Sequence, residues 1–305
     1  MSVEGGLLGL GAAAAWGLAD IGATIASRRV GSTRTTGVIV PVSAALLIGM
    51  FLITGAQLPA DPATLLGSAA LGLFGSIIYF TAFAALRAGP VTIVGPILGA
   101  YGGATVLFAI LFLGENPSPL NLLAAVGATV GVVLAGIAIG STGRLRVLGP
   151  GVKYALIALL AASGQPVVAS LVIEHAGWLP TLTVARATNA TIVVVVLFVV
   201  GRRRQLRERA RGSRDAVDPT SVSLTTAGRR TIGILFAAST VEFIAVACFF
   251  AGLAAGPTWL VGLTSSFAPL VVIGAGLWLF HERPRPLQWA GIALVLVSTV
   301  FLASR

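Results

Sequence analysis

Long apolar runs follow one another along almost the whole chain, broken only briefly at Arg, Gly-Pro, Glu or Asp. A helix of about 20 apolar residues crosses a hydrocarbon core roughly 30 Å thick. Runs of that kind lie at 6–27, 36–55, 64–86, 90–113, 119–140, 152–173, 180–200, 231–254, 257–280 and 286–304. The pattern therefore predicts an all-α polytopic membrane protein with ten transmembrane helices. Composition agrees: 56% of the 305 residues are hydrophobic and 10% are charged, whereas a soluble chain carries roughly 25% charged residues. The first run is too long, and lacks the basic leader, for a cleaved signal peptide. The sequon Asn189-Ala190-Thr191 lies inside the seventh run, away from any glycosylating lumen.

The same punctuation is written twice. LFLGENPSP (111–119) and WLFHERPRP (278–286) each end an apolar run at an acid followed by Pro-x-Pro. A shift of 167 positions lays residues 83–134 over 250–301 without a gap, matching Phe83 to Phe250, Gly89-Pro90 to Gly256-Pro257, and Glu115, Pro117 to Glu282, Pro284. A weaker match sets AAAAWGLADIGATIAS (12–27) over LLAASGQPVVASLVIE (159–174). Each Gly-Pro closes a turn and opens a helix, because Pro is tolerated at a first helical position. Each Glu-x-Pro ends one, because the residue before Pro is pushed out of the α region. The expected domains are 1–140 and 152–305, joined by 141–151. With five spans each, the second copy enters from the opposite face, which makes an inverted-topology repeat around a central cavity.

The net charge of +10 is concentrated in the connections, above all in GRRRQLRERARGSRD (201–215) within the segment 201–230. Basic connections beside spans mark the cytoplasmic side and favour anionic headgroups, so membrane lipids are the expected partners and nucleic acid is not. By this rule one face carries 28–35, 141–151, 201–230, Arg87, Arg283 and Arg285. The opposite face carries both termini, Asp61, Glu115 and Glu174, and reads as external. The lone Cys248 and the histidines His175 and His281 give no disulfide framework and no metal site, and no phosphate-binding loop is present. No cofactor is implied. An enzyme would need clustered acids, a His dyad or an activated nucleophile within the membrane, and none is written here.

Few polar groups fall deep inside a span, and those few are the candidate site. Glu242 lies roughly 16 Å from the Arg-rich face and Asn189 about 14 Å from the opposite one, so they are level near the midplane. Arg186, one turn from Asn189 on the same helix face, is long enough to reach Glu242. An ionisable group inside the membrane is costly unless paired, and marks function by default; a pair that only locks two helices is the alternative. Asp20 lies about 9 Å from the Arg-rich face, within reach of a hydrated vestibule or of Arg28 and Arg29, and suits a substrate or proton-coupling role. Trp16 sits near the midplane, whereas Trp178, Trp259, Trp278 and Trp289 fall at span ends, where indoles anchor at the interface. Tyr79, Tyr101 and Gln165 complete the set. Pro96, Pro166 and Pro269 are placed to break or kink their spans beside the cavity. Glu115 and Glu282 read as loop tethers. Gly127-x-x-x-Gly131 and Gly136-x-x-x-Gly140 allow close helix contact within a monomer or across a homodimer.

Trp16-Gly17 in the first span, Leu113-Gly114-Glu115 closing the fourth, Phe280-His281-Glu282-Arg283 closing the ninth, and the five-plus-five order together resemble the EamA-type transporters of the drug/metabolite transporter superfamily. The resemblance implies a bundle of two five-helix EamA-like repeats that moves small solutes, often amino acids and other metabolites outward, across the cell membrane by alternating access. It also implies cytoplasmic termini, against the charge asymmetry. Phe280-His281 stands where the family usually has Leu-Gly, and Leu18-Ala19-Asp20 where relatives carry small polar residues. A flippase or carrier of lipid-linked or phosphorylated sugars is the alternative on the same fold, and would need a basic groove open to the lipid.

Overall fold

The computed structural model describes residues 3–88, 94, 97–136, 150–210, 228–268, 270–271 and 286–303. Among them lie ten helices and no strand: α1 Val3–Val30, α2 Ser32–Thr54, α3 Pro62–Ala88, α4 Tyr101–Leu113, α5 Pro119–Gly136, α6 Pro150–Ala176, α7 Trp178–Ala210, α8 Arg229–Ala255, α9 Thr258–Ser265 and α10 Pro286–Ala303. They follow the ten apolar runs in order. Six of them (α1, α2, α3, α6, α7 and α8) are long and apolar enough to cross a membrane, and shorter apolar helices cover Ile97–Leu113 and Pro119–Gly131. Leu52, Leu66, Leu111, Leu123, Phe198 and Val297 stand exposed on the outside of the bundle. Water would penalise that surface and hydrocarbon does not. The chain is a multi-pass membrane protein.

Two connections are shorter than the residue pattern suggests. The expected 28–35 loop shrinks to Gly31, whose φ of 89° lies in the left-handed region that favours glycine. Thr35 and Thr36 return their hydroxyls to the carbonyls of Gly31 and Ser32, so these polar residues extend the helix instead of interrupting it. Likewise α7 continues past residue 200 into the Arg-rich segment, since Arg, Gln and Glu are good helix formers. At the other end of α3, Asp61 caps the first turn. Its carboxylate accepts the Thr64 hydroxyl and backbone N–H, both at 2.8 Å, and these bonds hold its pKa below the usual carboxylate range.

The packing exchanges the two halves. Helix α1 runs along α8 as α6 runs along α3, while α4 meets α9, α2 meets α7 and α5 meets α10. The fourth span breaks at Ala100, between the helical residues 97–99 and α4, and the ninth breaks at Ser266–Phe267. Ala100 and Phe267 are related by the 167-residue shift, so the break belongs to the repeat. At the second break Ser266 and Phe267 bond back to Leu263 and Thr264, three residues earlier, which tightens the turn. Pro96 and Pro269 lie outside the described residues. Helix α6 runs through Pro166 uninterrupted, with the Ser170 hydroxyl bonded to the Pro166 carbonyl at 2.9 Å.

Two glycines set how closely helices approach. A Cβ on Gly17 would lie 2.8 Å from the Ala268 carbonyl oxygen. A Cβ on Gly72 would lie 2.5 Å from the Ala185 carbonyl oxygen and 3.0 Å from the Asn189 backbone nitrogen. Both obstacles are backbone, so a helix must shift. Gly72→Ala is therefore expected to destabilise by about 1–3 kcal/mol through overpacking. Gly49, where an added methyl would meet nothing within 4 Å, is the control: Gly49→Ala is neutral or stabilising by up to ~1 kcal/mol. Thermal unfolding of the purified variants in detergent checks both.

Candidate functional site

Helices α1, α3, α4, α6, α7 and α8, with Leu98, Gly99 and Ala268, line a cavity of about 150 Å3. Its wall includes Trp16, Asp20, Tyr79, Tyr101, Gln165, Arg186 and Asn189, seven of the eight residues singled out by depth and polarity. The eighth, Glu242, is 2% exposed and stands behind the wall against Arg186. Repeat-related positions line the cavity in pairs: Tyr79 and Val246, Ala82 and Phe249, Phe83 and Phe250, Tyr101 and Ala268. The polar groups fall on unequal halves of this frame. Glu242 corresponds by the same shift to Gly75, which has no side chain.

Arg186, Tyr79 and Glu242 form one closed network. The Arg186 Nη2 donates to Glu242 Oε1 and to the Tyr79 hydroxyl oxygen, the latter at 2.7 Å. The Tyr79 hydroxyl donates in turn to Glu242 Oε1. The guanidinium also lies over the Tyr79 ring, 5.0 Å from its centroid, and Phe83 meets that ring edge-on at 5.7 Å. Charge-assisted bonds of this kind are what make a buried ion pair tolerable. The network leaves Arg186 Nη1 and Glu242 Oε2 buried and without a partner among the described residues.

The remaining candidates hold neighbouring helices. The Tyr101 hydroxyl and Ser265 are 2.8 Å apart across the α4–α9 contact. Ser163 on α6 reaches the Tyr101 carbonyl at 3.4 Å. Asn189 accepts a long bond of 3.4 Å from Ser76, and its amide nitrogen faces Gly75, where a Cβ would come within 2.5 Å. Trp16 packs against Phe249 with ring centroids 5.2 Å apart. Asp20 looks into the cavity rather than toward the α1 end, where Arg29 bonds instead to Thr231 of α8 at 3.1 Å. Among the wall residues that depth and polarity alone do not flag are the rings Phe83, Phe249 and Phe250. The repeat match of Phe83 to Phe250 was the signal that could have found two of them.

Outside the cavity, Glu115 and Pro117 line a surface depression with Asn116, Asn121, Pro257 and Trp259. Glu115 accepts the backbone N–H of Thr258 at 2.8 Å and of Trp259 at 2.9 Å, capping α9 from the other half of the chain. Gly256 and Pro257 are extended there, leading into α9. Trp259 is 3% exposed and packs with Ala13, Val106 and Leu263, so it is a core residue and not the interfacial anchor its place near a span end predicts. Trp289, 53% exposed, does face outward. Gly89, Pro90, Trp278, Glu282 and Pro284 lie outside the described residues. Among the described residues no group of three His, Cys, Asp or Glu side chains could hold a metal ion.

The family model of the EamA-like transporter family matches twice in tandem, over residues 3–137 and 149–304. The chain belongs to this family. An EamA-like protein transports small molecules across a membrane, and both matched segments contribute residues to the cavity wall. The EamA-like chain is also similar to a solved structure described only as "Crystal structure of protein", with a TM-score of 0.75 at 19% identity, covering 100% of this chain and 99% of that one. That likeness concerns the fold. No curated protein matches the EamA-like chain.

Proposed function

We propose that this protein exports small organic metabolites bearing an amino group, amino acids among them, across the plasma membrane by alternating access. Its ten spans form an inverted pair of five-helix repeats, 1–140 and 152–305. The cavity is the observation that carries the reading. It lies between the repeats, and its wall combines aromatic rings with Asp20, Arg186 and Asn189. Two apolar clusters share residues with that wall: one joins Leu47, Leu71, Leu179, Leu182, Phe250 and Leu253, and the other joins Ala26, Ile39, Phe83, Leu86 and Leu235. A site between two repeats can be opened to one side at a time by rocking one repeat on the other. Arg186 is 5% exposed and paired, which speaks against the basic, lipid-facing groove that a lipid-sugar flippase requires.

The test is efflux. Cells lacking their own exporters, loaded with a mixture of amino acids, dipeptides and amines, carry wild type, Glu242→Gln or empty vector. Released solutes are profiled by mass spectrometry. Wild type is expected to release one solute class faster than vector, with the variant near the vector level. Equal release from wild type and vector would remove the export reading.

A further inference from the structure

The charges around the cavity do not balance. The ionisable groups that face it among the described residues are Asp20 on α1, Tyr79 on α3, Tyr101 on α4 and Arg186 on α7, with Glu242 on α8 behind Arg186. That is two carboxylates for one guanidinium. Glu242 and Tyr79 already occupy Arg186. Asp20 has no hydrogen bond or ion pair among the described residues, and it feels the charge of Glu242 and faces the Tyr101 phenol. A carboxyl in this position, repelled by a carboxylate and without a donor, is neutralised either by a proton or by a cation.

The surroundings of Asp20 say what kind. Trp16 lies one turn earlier on the same face of α1, and Phe249 packs against it. Tyr101 completes an aromatic wall around the carboxylate. Ring faces attract organic ammonium ions and offer nothing to a strongly hydrated metal ion. The second clue is Arg186 Nη1, buried and without an acceptor among the described residues. A buried donor of this kind is costly until something accepts from it. A substrate carboxylate would fill it but would bring a third negative charge against a single guanidinium. A neutral acceptor such as an amide or ketone oxygen fills it and leaves the cluster balanced.

We infer that the cavity is a receptor for a monocationic organic solute, with its ammonium group on Asp20, a neutral acceptor on Arg186 Nη1, and its apolar body against Trp16, Phe249 and Phe250. This rests on the transport reading and narrows it from metabolites with an amino group to those with an ammonium group and no carboxylate, which leaves free amino acids out. Asp20 is the specificity-determining residue. Arg186 is a binding residue whose other nitrogen holds the network together.

Four probes that share a phenylethyl body separate the requirements: L-phenylalaninamide (cation with an amide), phenethylamine (cation without one), L-phenylalanine (zwitterion) and 3-phenylpropionamide (neutral). Binding to the purified full-length protein in nanodiscs is measured by calorimetry at about pH 6.5, where an α-amino group is protonated. The amide-bearing cation is expected to bind about tenfold or more tighter than the zwitterion and the neutral amide, because a site built around a charge rejects analogues lacking it. Phenethylamine should fall between. Asp20→Asn should erase the preference of L-phenylalaninamide over 3-phenylpropionamide; if that variant does not fold, the wild-type order alone decides. Zwitterion binding equal to or tighter than the cation overturns the proposal, as does equal binding of the neutral amide, or no binding by any of the four. If cells release only zwitterionic or anionic solutes, the receptor assignment fails while the export reading stands. If L-phenylalaninamide binds as expected but cells release nothing above vector, export fails and the receptor stands.

Discussion

Replacing Glu242 with Ala should destabilise the folded protein by about 3–5 kcal/mol, the range seen when one partner of a buried ion pair is removed. Arg186 cannot discharge itself by losing a proton, and Tyr79 offers it only a neutral oxygen. Glu242→Gln keeps an acceptor and should cost less. The informative variant is the double replacement Arg186→Met, Glu242→Met. Removing both charges and filling their volume with apolar atoms is often neutral or stabilising, so thermal stability should return close to wild type. Efflux should not return, because the guanidinium on the cavity wall is gone. Recovery of both stability and efflux would show that the pair only locks α7 to α8.

The second large effect is expected at Glu115→Ala. Helix α9 spans only Thr258–Ser265 before its break, and its first two N–H groups depend on Glu115 from the opposite half. Loss of a capping acceptor costs about 0.5–2 kcal/mol, and the negative charge at a helix N-terminus adds to it. The amides of Thr258 and Trp259 should therefore exchange with deuterium about tenfold faster or more. Protection at Leu263 and beyond should change less. Ser170 also holds this end, its hydroxyl lying 2.6 Å from that of Thr258, so Glu115→Ala should loosen the end without unfolding the bundle. Unchanged exchange at Thr258 and Trp259 would show that the cap contributes nothing to α9.

Number, order and class of the helices were legible in the sequence because the bilayer imposes one length and one solvent on every span. The repeat was legible for a related reason: Gly-Pro and Glu-x-Pro act on local backbone geometry, which reads the same in either half. Depth within a span is also nearly a sequence property, since rise per residue is constant. That is why Glu242 and Asn189 could be placed at one level, with Arg186 one turn away, before any contact was known.

Only the tertiary structure decided which way these groups face. Hydropathy along a lipid-embedded helix says little about which side meets another helix, since lipid and core are equally apolar. Trp259, near a span end, is thus in the core, and Asp20, whose depth left open either a hydrated vestibule or the arginines at the end of α1, opens into the cavity. The tether between Glu115 and α9 joins residues more than 140 positions apart, and no local pattern encodes it. The missing partners of Arg186 Nη1 and Asp20 likewise exist only once six helices have closed around them. The sequence by itself determined the spans, their order and their polar depths, which follow from chain geometry and the membrane; the packing of the two repeats determined the cavity, its unequal charge and the helix cap.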